Sequence, residues 1–83
     1  MHDFAAFCRL VHANLQLDGP LADSREVGLF DDLALDSLQT FQLVILIEES
    51  AGLMVPPEFP PEMYTIGQAF DYYLQAARLA ASQ

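Results

Sequence analysis

Residues 36–52 read Asp36-Ser37-Leu38-Gln39-Thr40-Phe41-Gln42-Leu43-Val44-Ile45-Leu46-Ile47-Glu48-Glu49-Ser50-Ala51-Gly52, and this run decides the fold. Asp36 and Ser37 offer side-chain oxygens to the unpaired amides of a helix start, and Gly52 can take the left-handed conformation that ends one. A helix over residues 38–51 is therefore predicted. A buried strand is the rival reading for residues 43–47, but the length of the surrounding segment favours helix. Leu38, Phe41, Leu43, Val44, Ile45, Leu46 and Ile47 make this helix apolar nearly all round. One face of a small bundle cannot bury them all, so some are expected to stay exposed, as on a surface that meets partners.

On the amino-terminal side, Phe4, Phe7, Cys8, Val11 and Leu15 recur at spacings of three and four, the stripe of an amphipathic helix over about residues 3–17. Asp18-Gly19-Pro20 is expected to end it, since proline cannot continue a helix. Residues 18–35 show no sustained period, yet they hold Leu21, Val27, Leu29, Phe30, Leu33 and Leu35. A connection this long and this apolar is expected to lie across the core.

On the carboxy-terminal side, Val55-Pro56-Pro57 and Pro60-Pro61 predict a stiff, extended connection, with one short helical turn at residues 62–64. Thr65 followed by Gln68 has the spacing of a capping box, and Ile66, Ala69, Phe70, Tyr73, Leu74 and Ala77 follow at helical intervals. A last helix is predicted over about residues 66–80. The sum is an all-α chain, a small four-helix bundle of three main helices and one short one, forming a single domain over residues 1–83. Phe7 and Phe70 are expected in its core, and Met54 and Met63 in gaps in or around it.

Composition narrows the functions. Twelve acidic residues face only Arg9, Arg25 and Arg78, for a formal net charge of −9. Such a surface repels nucleic acid and anionic lipid and steers the chain toward basic patches on proteins; the plainer reading is that acidity keeps a small domain soluble. Cys8 is the single cysteine, so no intrachain disulfide can form, and its apolar neighbourhood suggests a buried thiol in a reducing cytoplasm. No apolar run approaches the roughly 18 residues of a membrane span, and the start lacks a basic segment followed by an apolar one, so a soluble cytoplasmic monomer is expected.

Catalytic constellations are missing from the sequence. His2 and His12 lie ten apart with no neighbouring ligand set, nothing resembles a nucleophile elbow, and Asp31, Asp32 and Asp36 lack the spacing and glycine of a calcium loop. The chain is not expected to be an enzyme. One chemical hint remains. A helix start presents free amides and the positive end of a dipole, so a phosphate ester on Ser37 would be electrostatically favoured.

Residues 33–38, Leu33-Ala34-Leu35-Asp36-Ser37-Leu38, followed by Thr40, Phe41, Leu43, Val44 and Glu48-Glu49, resemble the phosphopantetheine attachment region of acyl carrier proteins. The similarity extends through Val55-Pro56, the Thr65-Ile66 start of the last helix and Tyr72-Tyr73-Leu74. It implies that a phosphopantetheinyl transferase moves a 4'-phosphopantetheine arm from coenzyme A onto the Ser37 hydroxyl, with Asp36 as the acid before the modified serine. It implies that Leu38, Phe41 and Ile45, with Glu48, Glu49, Asp31 and Asp32, meet basic patches of a ketosynthase, acyltransferase or ligase. Core packing is the competing role for Phe41 and Ile45.

The chain also departs from that pattern. Gln39 and Gln42 stand where many fatty-acid carriers have acids, Ala34 stands where glycine is frequent, and residues 55–61 are richer in proline. Polyketide-type or other specialised biosynthesis is therefore expected ahead of fatty-acid synthesis, and an aminoacyl or peptidyl cargo comes third, because such carriers generally have glycines before the serine. A non-covalent acidic interaction module is the alternative from another class.

Overall fold

The computed structural model describes residues 3–17, 24–57 and 62–83. Three helices run through them: α1 (Phe4–Leu15), α2 (Ser37–Ala51) and α3 (Ile66–Ala81). Helix α1 starts where the Asp3 carboxylate accepts the Ala5 amide at 3.2 Å. It stops earlier than the glycine-proline pair predicts, because Gln16 turns left-handed (φ 53°) and the Leu17 amide closes on the His12 carbonyl at 3.1 Å. Gly19 and Pro20, the expected stop, lie outside the described residues.

Helices α2 and α3 begin with the same device. Asp36 caps α2 by accepting the Gln39 amide at 2.7 Å, and the Gln39 side chain returns a bond to the Asp36 amide at 3.1 Å. Thr65 and Gln68 repeat this box at the head of α3, as their spacing predicted. Each box satisfies donors that a helix start leaves open, and losing the capping side chain typically costs about 1 kcal/mol. Gly52 ends α2 in the left-handed conformation (φ 77°), as expected.

The short fourth helix is not found. Residues 62–64 are non-helical, and residues 58–61 lie outside the described part of the chain. In place of a helix, 62–64 form a strap held in an extended arrangement by the loop before α2. The Leu29 amide donates to the Tyr64 carbonyl at 2.8 Å and the Ile66 amide to the Val27 carbonyl at 2.9 Å, framing an antiparallel bridge between Gly28 and Thr65. These bonds are made between segments more than thirty residues apart, which local periodicity cannot reveal. A further bond, from the Gly67 amide to the Arg25 carbonyl at 3.1 Å, requires glycine at 67, since a Cβ there would stand 2.7 Å from that oxygen.

The core sits between α1, α3 and the inner side of α2. Phe7, Cys8 and Val11 of α1 pack with Leu43 and Ile47 of α2 and with Ile66, Ala69, Phe70, Tyr72 and Tyr73 of α3. Phe70 lies 5.4 Å from the rings of both Phe4 and Phe7, distances at which aromatic edges and faces attract. The loop before α2 does cross this core through Leu29 and Leu35, with Val27 and Leu33 half-covered, but Phe30 points outward. Met63 fills the core as expected; Met54, 82% exposed, does not. Ala34 adopts a left-handed backbone (φ 54°), which costs a residue with a Cβ about 1–2 kcal/mol and accounts for glycine as the easier choice there. Among the described residues no helix is long and apolar enough to cross a membrane.

Candidate functional site

Ser37 is the first residue of α2 and is exposed. The capping box occupies the amides of Asp36 and Gln39, and the Thr40 hydroxyl donates to the Asp36 carbonyl at 2.9 Å. The Ser37 hydroxyl meets no hydrogen-bonding partner among the described residues, so it projects beyond the cap rather than serving it. Asp36 therefore caps and Ser37 does not, a division that two adjacent oxygen-bearing residues leave open in the sequence.

Ser37 lines a groove of about 360 Å³ together with Phe30, Thr40, Phe41, Val44, Glu62, Met63 and Tyr64. Three separate segments build it: the loop before α2, the outer side of α2, and the strap at 62–64. The Gly28–Thr65 bridge brings the first and third together, setting the Phe30 and Tyr64 rings 6.5 Å apart. At its polar end the Tyr64 phenol donates to the Glu62 carboxylate at 2.7 Å, and that bond, with the nearby negative charge, raises the phenol's affinity for its proton.

The other residues singled out in the sequence divide. Leu38, Phe41 and Ile45 are 64%, 62% and 38% exposed, so none of the three is a core residue. Phe41 faces the groove with Ser37, whereas Ile45 and Glu49 line a smaller groove of about 240 Å³ toward α1, beside Asn14 and Gln42. Asp31 is exposed. Asp32 is exposed too, but its carboxylate accepts the Gly28 amide at 2.6 Å and so braces the loop. Glu48 accepts the Tyr72 phenol at 2.6 Å, tying α2 to α3. Burial first, then that bond and the carboxylate's charge, push the Tyr72 phenol well above its ordinary value of 10.0.

Phe30 and Tyr64 are the lining residues that sequence reasoning passed over as surface members. Neither belongs to a helical stripe, and only the bridge between their segments reveals that they meet. Among the described residues no group of three or more histidine, cysteine or acidic side chains could hold a metal ion. His12 lies in the last turn of α1, and His2 falls outside the described residues.

No protein-family model matches the chain, and no solved structure matches it.

Proposed function

We propose that this protein is an acyl carrier: a small helical domain that accepts a 4'-phosphopantetheine arm on Ser37 and presents cargo on it to partner enzymes. The observation that carries the reading is an exposed serine hydroxyl, free of any capping duty, at the first position of a helix beside an open apolar groove. The residues present suit such a group. Asp36 and Gln39 take up two of the amides at the helix start, and those of Ser37 and Leu38 find no acceptor among the described residues. Those two amides and the positive end of the α2 dipole favour a phosphodiester at Ser37. When attached, the arm supplies a terminal thiol that carries acyl groups as thioesters.

The chain's own part is to hold and to present. Asp36 fixes the start of α2 and hence the direction of the Ser37 oxygen. The apolar wall of Phe41, Val44 and Met63 shelters uncharged groups from water. Catalysis belongs to the partners: a phosphopantetheinyl transferase, then ketosynthase, acyltransferase or ligase enzymes. The eleven residues Ser37 to Ile47 carry no ionisable side chain, which favours a specialised, polyketide-type pathway with its own partners over general fatty-acid synthesis.

The test is direct. With coenzyme A and a broad-specificity phosphopantetheinyl transferase, the purified chain is expected to gain the mass of one arm, seen by intact-mass spectrometry, and Ser37→Ala is expected to gain none. An unchanged mass for the unaltered chain, or a gain that persists in Ser37→Ala, rejects the proposal. The chain would then stand as a non-covalent interaction module.

A further inference from the structure

Around Ser37 the surface is apolar, in a chain whose formal net charge is −9. Leu38 and Phe41 from α2, Phe30 from the preceding loop and Tyr64 from the strap are 64%, 62%, 44% and 56% exposed. Phe30, Phe41 and Tyr64 line one groove with Ser37, and Leu38 shares the Phe41 face, three positions back on the helix. In water, four large side chains kept this open are an unfavourable arrangement for a domain that must only fold, and clustered exposure of this kind marks a surface that another molecule covers.

The charges near it point away from an ionic contact. No ionisable side chain occurs from Ser37 to Ile47 in a chain of net charge −9. Four carboxylates on the surrounding segments hold internal bonds, Asp36 with the Gln39 amide, Asp32 with the Gly28 amide, Glu62 with the Tyr64 phenol and Glu48 with the Tyr72 phenol, which leaves Asp31 and Glu49 as exposed acids without such a bond among the described residues. Each of these bonds takes up one carboxylate oxygen and fixes its acid within a helix cap, a loop brace, the strap or an interhelical link. A second copy of the chain is a poor occupant too, since it brings another nine negative charges to the same surface.

We infer that Phe30 and Tyr64, with Phe41 and Leu38, form the docking surface for the enzymes that act at Ser37, and that those enzymes meet it with an apolar cleft. Hydrophobic burial, rather than pairing of the chain's acids with basic side chains, supplies most of the affinity. The inference rests on the carrier reading and extends it to two residues outside α2. The net charge still steers encounter at long range, but aromatic side chains set into a desolvated pocket are the usual source of contact affinity.

The experiment measures KM and kcat for the chain as substrate of the same transferase with coenzyme A. Between about 50 and about 500 mM sodium chloride, where exposed ion pairs are largely screened, KM is expected to rise less than about threefold. Phe30→Ala and Tyr64→Ala are each expected to raise KM about tenfold with kcat little changed, and Phe30→Leu and Tyr64→Phe to restore it, since apolar area and not a phenol is required. Helical circular dichroism and an unaltered melting midpoint establish that each variant is folded; Phe30 and Tyr64 are exposed, and no core contact is removed.

A steep rise of KM with salt overturns the inference while leaving the carrier reading intact, as does Asp31→Asn or Glu49→Gln weakening docking as much as Phe30→Ala. Dimerisation that strengthens with salt in size-exclusion chromatography would assign the surface to a second copy instead. Sedimentation with phosphatidylcholine vesicles would assign it to lipid. Failure of the unaltered chain to be modified at all rejects the carrier reading and this inference together.

Discussion

Helices α2 and α3 are near-twins in the sequence. They run 15 and 16 residues, each opens with a capping box, and each is predominantly apolar. Their fates differ. Helix α3 buries Ile66, Gly67, Ala69, Phe70, Tyr72, Tyr73 and Ala76, whereas α2 buries only Leu43 and Ile47. The difference lies in arrangement. In α3 the apolar residues form one stripe with Gln68, Asp71, Gln75 and Arg78 opposite, so a single packed face uses them. In α2 they surround the helix, and the two other helices among the described residues do not cover its outer side. Apolar residues in α3 thus serve stability, and those on the outside of α2 are available for something else.

The sharpest way to break this contrast is to truncate one aromatic ring on each helix. Phe70→Ala is expected to cost about 3–5 kcal/mol, because it removes a buried ring and leaves a cavity between α1 and α3. For a domain this small that approaches the whole stability. Phe41→Ala, on the open side of α2, is expected to change the stability by no more than about 0.5 kcal/mol. Equal losses in urea or thermal melts would show that the outer side of α2 is covered after all.

A smaller effect is expected at the joint that fixes α3 to the loop. Gly67→Ala drives a Cβ to 2.7 Å from the Arg25 carbonyl oxygen, a backbone atom with little freedom to retreat. Overpacking of this kind costs about 1–3 kcal/mol, more than the roughly 1 kcal/mol that alanine gains over glycine within a helix. Because the same joint sets Phe30 beside Tyr64, the variant is also expected to loosen the groove. A stability equal to or above that of the unaltered chain would contradict the close approach.

The smallest effect concerns the bond between the two helices. Tyr72 keeps its proton in the folded state to a higher pH than in the unfolded chain, where the ordinary value of 10.0 applies. Its contribution is therefore complete below about pH 10, and stability falls as pH rises beyond that, since only the unfolded form then releases the proton. Tyr72→Phe is expected to lower stability at neutral pH by about 1 kcal/mol and to flatten the alkaline decline, read from urea midpoints across about pH 8 to 11. An alkaline decline as steep in Tyr72→Phe as in the unaltered chain would assign it to another group.

Much of the frame was legible in the residues. The bounds of α2 and α3 follow from Asp36, Gly52 and the Thr65–Gln68 pair, and the buried stripe of α1 follows from its spacing. These are local properties, set by which side chain can reach which amide within one turn. The non-helical course of residues 62–64 and the early stop of α1 were not legible. Residues 62–64 are held extended by bonds to the distant segment around Gly28, and Gln16 turns left-handed without the glycine that usually signals it.

The sequence by itself determined three helices, a serine at the head of the second, and an excess of apolar side chains on that helix. Only the tertiary structure decided that Ser37 projects free while Asp36 caps, that Glu48 is bound to Tyr72 and Asp32 to Gly28, and that Phe30 and Tyr64 stand together beside the hydroxyl. The physical reason is one of range. A cap or a stripe depends on neighbours within four residues, whereas a groove depends on which distant backbones pair, and here the Gly28–Thr65 bridge makes that choice.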